Sequence, residues 1–103
     1  MGVLDEKGKH LYIAQMSHTG AVKIGRSRDP EARLRQLQTS CPYPLKLVLV
    51  LRDQGHLEKK LHRRLRRGRT KGGEEWFEYE CLGELPDDIY WAIVNLTDDW
   101  WKP

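Results

Sequence analysis

Residues 11–33 read LYIAQMSHTGAVKIGRSRDPEAR, and the fold is read outward from them. An apolar-alternating run, Leu11-Tyr12-Ile13, meets a turn at Ser17-His18-Thr19-Gly20. A second run, Ala21-Val22-Lys23-Ile24-Gly25, follows, and Asp29-Pro30-Glu31 then opens a helix that carries Arg33. Aspartate suits an N-cap because its carboxylate accepts from the orphan amides of the first turn. Proline suits the next position because its missing N–H would have had no partner. The stretch predicts strand, turn, strand and capped helix.

With the turn centred on His18-Thr19 and free of a bulge, residues pair when their numbers sum to 37. Tyr12 then faces Gly25 and Ala14 faces Lys23. Side chains alternate across a strand, so Tyr12, Ala14, Lys23 and Gly25 share one side of the hairpin. Leu11, Ile13, Val22 and Ile24 share the other, with Gln15. One face is apolar. The other holds a phenol and an ammonium among small residues that leave space above the sheet.

Working outward, the helix is predicted over about 30–39, with Ala32 or Leu34 and Leu37 as its apolar stripe and Arg33 beside it. Cys41-Pro42-Tyr43-Pro44 ends it, because a residue before proline avoids the helical region. Leu45–Leu51, LKLVLVL, reads as a strand covered on both faces. A second helix is predicted over about 56–67, where Leu57, Leu61 and Leu65 repeat at i, i+4 and i+8. Glu58 lies on the shoulder of that stripe, with His62 one turn further along. Trp76-Phe77-Glu78-Tyr79 is either a short edge strand or a packing plug. A last helix begins at Asp87-Asp88 and uses Ile89, Tyr90 or Trp91, Ile93 and Leu96.

The 103 residues predict a single domain over 1–103, with a core over about 10–80 and a C-terminal helix over about 86–97. Hydrophobic residues make up 39% and charged residues 32%, which fits a soluble globular protein. No run reaches the ~20 apolar residues of a membrane span, and MGVLDEKGKH lacks the apolar centre of a secretion signal. A cytoplasmic location is expected, or a nuclear one in a eukaryote, but not secretion. Cys41 and Cys81 have no zinc-type spacing and read as free thiols.

The strongest signal from charge alone is a basic run. Lys59, Lys60, Arg63, Arg64, Arg66, Arg67, Arg69 and Lys71 are eight of the eighteen basic residues. An ordinary charged helix face mixes signs, but here no acid follows Glu58 until Glu74. Such a stripe neutralises phosphates and releases counterions, so Lys59, Arg63, Arg66, Arg67, Arg69 and Lys71 are candidate nucleic-acid contacts. Tyr12 taken alone is an ordinary strand tyrosine, but a lysine diagonal to it on the same face is unusual. Its charge would favour the phenolate. Glu58 taken alone is an ordinary helix carboxylate. As a metal ligand it would need phosphate oxygens and water to complete an oxygen shell. His10, His18 and His56 show no nameable partner. Neither Cys41 nor any serine has a nucleophile motif.

These residues together resemble the GIY-YIG nuclease superfamily, in the short phage-associated branch that shares its domain with the meiotically up-regulated gene family. Leu11-Tyr12-Ile13 matches the first motif. Lys23-Ile24-Gly25 matches the second, with lysine where many members have tyrosine, as in some restriction enzymes of the superfamily. Arg33, ten residues after Lys23, matches the family arginine. Glu58 matches the metal-binding glutamate and Glu75-Trp76-Phe77 the closing motif of the branch. Leu37 stands where some relatives have histidine. The family's downstream asparagine has no counterpart, since the only asparagine is Asn95.

The resemblance implies an α/β (α+β) domain with a three-stranded antiparallel sheet flanked by helices and the first strand central. It implies DNA endonuclease activity with one Mg2+ or Mn2+ ion. Tyr12 would help deprotonate the attacking water, and Lys23 would assist the phenol or hold the nucleophile. Arg33 would offset charge developing at phosphorus, and Glu58 would hold the metal, with His62 behind it. Tyr12, Lys23, Arg33 and Glu58 are then expected to converge in one cleft. A lone domain of this size has little surface for reading a long site, so low specificity, a homodimer or a larger partner protein is expected. Two other readings compete: a non-catalytic DNA-binding module using residues 59–71, and a protein-interaction module using Trp100 and Trp101.

Overall fold

Strand β1 (His10–Met16) and strand β2 (Val22–Ser27) pair antiparallel with Tyr12 opposite Gly25 and Ala14 opposite Lys23. This is the register expected from the hairpin. In this computed structural model, residues 9–65 and 76–97 are described. His18 and Gly20 close the turn at positive φ, 73° and 75°. The Met16 amide donates to the Ala21 carbonyl at 2.9 Å. Alternation from that pair makes Ala14–Lys23 and Tyr12–Gly25 the hydrogen-bonded pairs, and it turns the backbone groups of Ile24 and Arg26 to the outer side of β2.

Helix α1 (Pro30–Thr39) follows, capped by Asp29, whose Oδ1 accepts from the Ala32 amide at 3.1 Å. Strand β3 (Leu45–Leu51) pairs with the other side of β1, with a bulge at Val48. A 3-10 turn over Gly55–Leu57 leads into α2 (Glu58–Leu65). Strand β4 (Trp76–Phe77) adds to β2 through Val22–Phe77 and Lys23–Trp76. A 3-10 segment over Tyr79–Glu84 precedes α3 (Asp87–Thr97). The mixed α+β class is as expected, but the sheet has four strands, in the order β3-β1-β2-β4, rather than three. Trp76-Phe77 is both edge strand and plug, since Phe77 is fully buried. The first strand is interior.

The core lies on one face of this sheet. Leu11, Ile13, Val22, Ile24 and Val48 meet Leu61 and Leu65 of α2, Phe77, Leu82 and Leu85, and Ile89 and Ile93 of α3. The leucine stripe of α2 is therefore the predicted one. On α3, Tyr90 is the ring half-buried against the core, while Trp91 is 57% exposed. Helix α1 covers the opposite face, with Pro30 buried and Ala32, Leu34 and Leu37 half-buried. β3 is not covered on both faces as its sequence predicted. It is an edge strand, so Lys46 and Val50 are exposed and only Val48 is buried. Arg66, Arg67, Arg69 and Lys71 lie outside the described residues, as do Trp100 and Trp101.

Phe77 joins β4 to the core, and truncating a buried phenylalanine costs about 3–5 kcal/mol. Phe77→Ala should lower the melting temperature by ~12 °C or more, measured by circular dichroism. A shift of only a few degrees would mean that β4 is peripheral to the fold.

Candidate active site

Tyr12 and Lys23 are both buried, at 2% and 4% exposure, on the α1 side of the sheet. That burial is what makes them notable, because a lysine so enclosed is rare without a role or a partner. Gly25 explains where the phenol goes. A β-carbon at Gly25 would fall 2.5 Å from the Tyr12 hydroxyl oxygen and 2.6 Å from the ring carbon that bears it. The ring therefore lies across Gly25 and carries its hydroxyl from β1 over to β2. The space expected above the small residues is filled by Tyr12 itself.

Arg33 is exposed on α1, on this same side, and its Nη1 donates to Gln36 Oε1 at 3.1 Å. A surface hydrogen bond of this kind is easily exchanged for a phosphate oxygen.

Glu58 and His62 come from the other side. Leu61 and Leu65 seat α2 against Ile24's face of the sheet. Glu58 Oε1 lies 3.8 Å from Arg26 Nε, and Arg26 shares the parity of Ile24, not of Tyr12. His62 Nε2 is 2.6 Å from the Ile24 carbonyl. A carbonyl only accepts, so Nε2 carries the proton and donates, and the ring tautomer is set by that bond. The His62 ring also meets Phe77 edge-on, with centroids 5.3 Å apart.

The five residues are thus grouped as Tyr12, Lys23 and Arg33 on one side of β2, and Glu58 and His62 on the other. A single cleft above the Tyr12 face is not what α2 builds, because a helix stripe fixes which residues are buried and not which sheet face they bury against. Both groups attach to β2, and its outer edge runs between them. Among the described residues, β4 pairs with that edge at Val22 and Lys23. Past Lys23 the Ile24 carbonyl is taken by His62, and Gly25 and Arg26 follow. The Tyr12 hydroxyl lies over Gly25 on one side of β2, and Glu58 stands by Arg26 on the other.

Arg26 is the residue that sequence reasoning missed. Its parity with Ile24 was the available signal that it faces α2. His10 and His18 also have partners after all: His10 Nδ1 accepts from the Asp53 amide at 3.0 Å, and His18 stacks on Tyr43. Lys59 and Arg63 are exposed on α2. Both cysteines are free thiols. Burial, and then the carboxylates of Glu78, Glu80 and Glu84, push the Cys81 thiol above its usual range, which makes it a poor nucleophile.

Among the described residues, no cluster of three or more histidine, cysteine or acidic side chains could hold a metal. A single carboxylate at a solvent-accessible edge still fits the kind of magnesium site that substrate phosphates and water complete. Glu58, in contact with Arg26, is the carboxylate that could serve there.

The T5orf172 domain model matches residues 9–96. The chain belongs to the T5orf172 domain family. This is a domain of phage-associated, endonuclease-like context, so membership points to a nuclease or DNA-binding role. No curated protein matches significantly, and no solved structure does. No helix among the described residues of this T5orf172 domain is long and apolar enough to cross a membrane.

The seat of the phenol can be probed directly. Overpacking a tight site costs about 1–3 kcal/mol, so Gly25→Ala should destabilise by that amount in urea unfolding. Combining it with Tyr12→Ala should cost less than the sum of the two single changes. Additive costs would mean that Tyr12 does not rest on Gly25.

Proposed function

We infer that this T5orf172 domain is a divalent-metal-dependent DNA endonuclease of the GIY-YIG kind, with its reaction centre at the outer edge of β2. The observation that carries the reading is the buried Tyr12–Lys23 pair, with the phenol held over Gly25. A sheet face that only packed against α1 would have no use for an enclosed phenol and ammonium together. Family membership and the resemblance of the two motifs support the same reading.

In this reading a DNA phosphate lies against the edge at Gly25. Tyr12, entering as the phenolate that the Lys23 charge favours, accepts a proton from the attacking water as the water oxygen bonds to phosphorus and the bond to the leaving oxygen breaks. Arg33 leaves Gln36 and donates to the phosphate oxygens, where negative charge grows toward the transition state. Glu58, with Arg26 displaced to the phosphate, holds one Mg2+ or Mn2+ ion; when bound, this ion supplies Lewis-acid stabilisation of the leaving oxygen. His62 holds α2 to β2 through the Ile24 carbonyl, and so fixes where Glu58 stands. Lys59 and Arg63, with Arg66, Arg67, Arg69 and Lys71, attract the backbone.

Glu58→Ala should lower plasmid nicking in magnesium at least about 100-fold, because the metal's contribution is several kcal/mol at the transition state. Its DNA affinity should hold or rise, since a carboxylate near phosphates repels them when no metal intervenes. Tyr12→Phe should also lose rate while melting near the parent temperature. Undiminished cutting by Glu58→Ala removes this residue from the chemistry.

Binding without cleavage in any divalent metal would leave the non-catalytic DNA-binding module as the function. The exposed cations of α2 favour that second reading. Charge reversal of Arg63 and Arg66 should weaken binding to all sequences and flatten the salt dependence by about one charge per residue. An unchanged slope in fluorescence anisotropy takes the stripe out of the interface.

A further inference from the structure

A groove of about 360 Å3 opens on the Tyr12 side of the sheet, away from the β2 edge. Its floor is Leu47 and Val50 of β3, and Val50 is 40% exposed. Val50 is the β3 partner of Tyr12, so the groove begins one strand beyond the phenol. The start of α1 forms one wall, with Arg28, Asp29 and Glu31; His10 and Arg52 close the rest.

The rim carries two guanidiniums and two carboxylates, and their formal charges cancel. A phosphate is therefore drawn to the α2 face in preference to this groove. What the rim offers is donors and acceptors side by side above an apolar floor. His10 adds a donor, because its Nδ1 accepts from the Asp53 amide and the neutral ring then carries its proton on Nε2. The volume falls in the range of small-molecule sites.

We propose that this groove binds one unstacked guanine base of the DNA strand held at the β2 edge. Guanine is the base that presents both halves of the pattern. Its O6 and N7 accept from an arginine fork, while its N1–H and exocyclic amine donate to a carboxylate. The flat ring would lie on Val50 and Leu47. Contacts of α2 to phosphate carry no sequence information, whereas contacts to a base do. The proposal rests on the DNA-acting reading of the β2 edge and adds where that reading gains base preference.

The test uses nucleosides, which lack phosphate and cannot be cleaved, so it is independent of nuclease activity. The full chain with labelled Leu and Val methyl groups is titrated with 2′-deoxyguanosine and the three other deoxynucleosides. Deoxyguanosine should shift the Val50 and Leu47 methyl resonances and bind at least about tenfold tighter than the others. Arg52→Ala and Glu31→Gln should each weaken it by about tenfold, with melting temperatures and the salt slope for duplex DNA unchanged. Equal shifts with all four nucleosides, no shift at Val50, or variants that bind deoxyguanosine like the parent would overturn the proposal. Loss of cleavage in Glu58→Ala with no deoxyguanosine response would leave the endonuclease standing and the groove without a ligand.

Discussion

The hydrogen-bonded pairing of Tyr12 with Gly25 governs where everything else in this T5orf172 domain can stand. A slip of one residue would exchange the faces of β1 and bring Leu11 and Ile13 out of the core. In the register observed, one face of the hairpin is apolar enough to hold α2 and α3, and the other has room for a phenol only because position 25 lacks a side chain. The same alternation turns the Ile24 carbonyl outward, where His62 takes it. A single parity choice thus sets the core, the seat of the phenol and the attachment of α2.

Helix α2 joins stability to the site. Leu61 and Leu65 bury its stripe, and the helical spacing then leaves Glu58 and His62 at the stripe's margin, against the edge of β2. The Glu58–Arg26 contact is partly exposed and long at 3.8 Å, so it contributes little to stability. It keeps a carboxylate close to the strand edge without locking it there. A ligand that brings its own charges can separate the pair at small cost.

Much of this was legible in the residues. The hairpin register, the Asp29 cap, the leucine stripe of α2 and the shared face of Tyr12 and Lys23 all follow from parity, helical spacing and cap chemistry. The missed features have identifiable causes. Strand β4 is two residues long and has no period to read. The bulge at Val48 breaks the alternation of β3, and the position of β3 at the sheet's edge depends on partners far away in the chain. A periodic stripe names the buried face of a helix but leaves open which side of the sheet receives it, so Glu58 arrives beneath β2 and not above it. That Gly25 supports the phenol becomes visible only when the reach of the ring is known.

Leu65 and Phe77 are both anchored in one core, and the eleven residues 66–76 separate them along the chain. Each is held by its own burial in that core. Because Leu65 ends α2 and Phe77 ends β4, one shared core ties the helix that carries Glu58 to the strand that pairs with Lys23, so a change that loosens either anchor is felt at both.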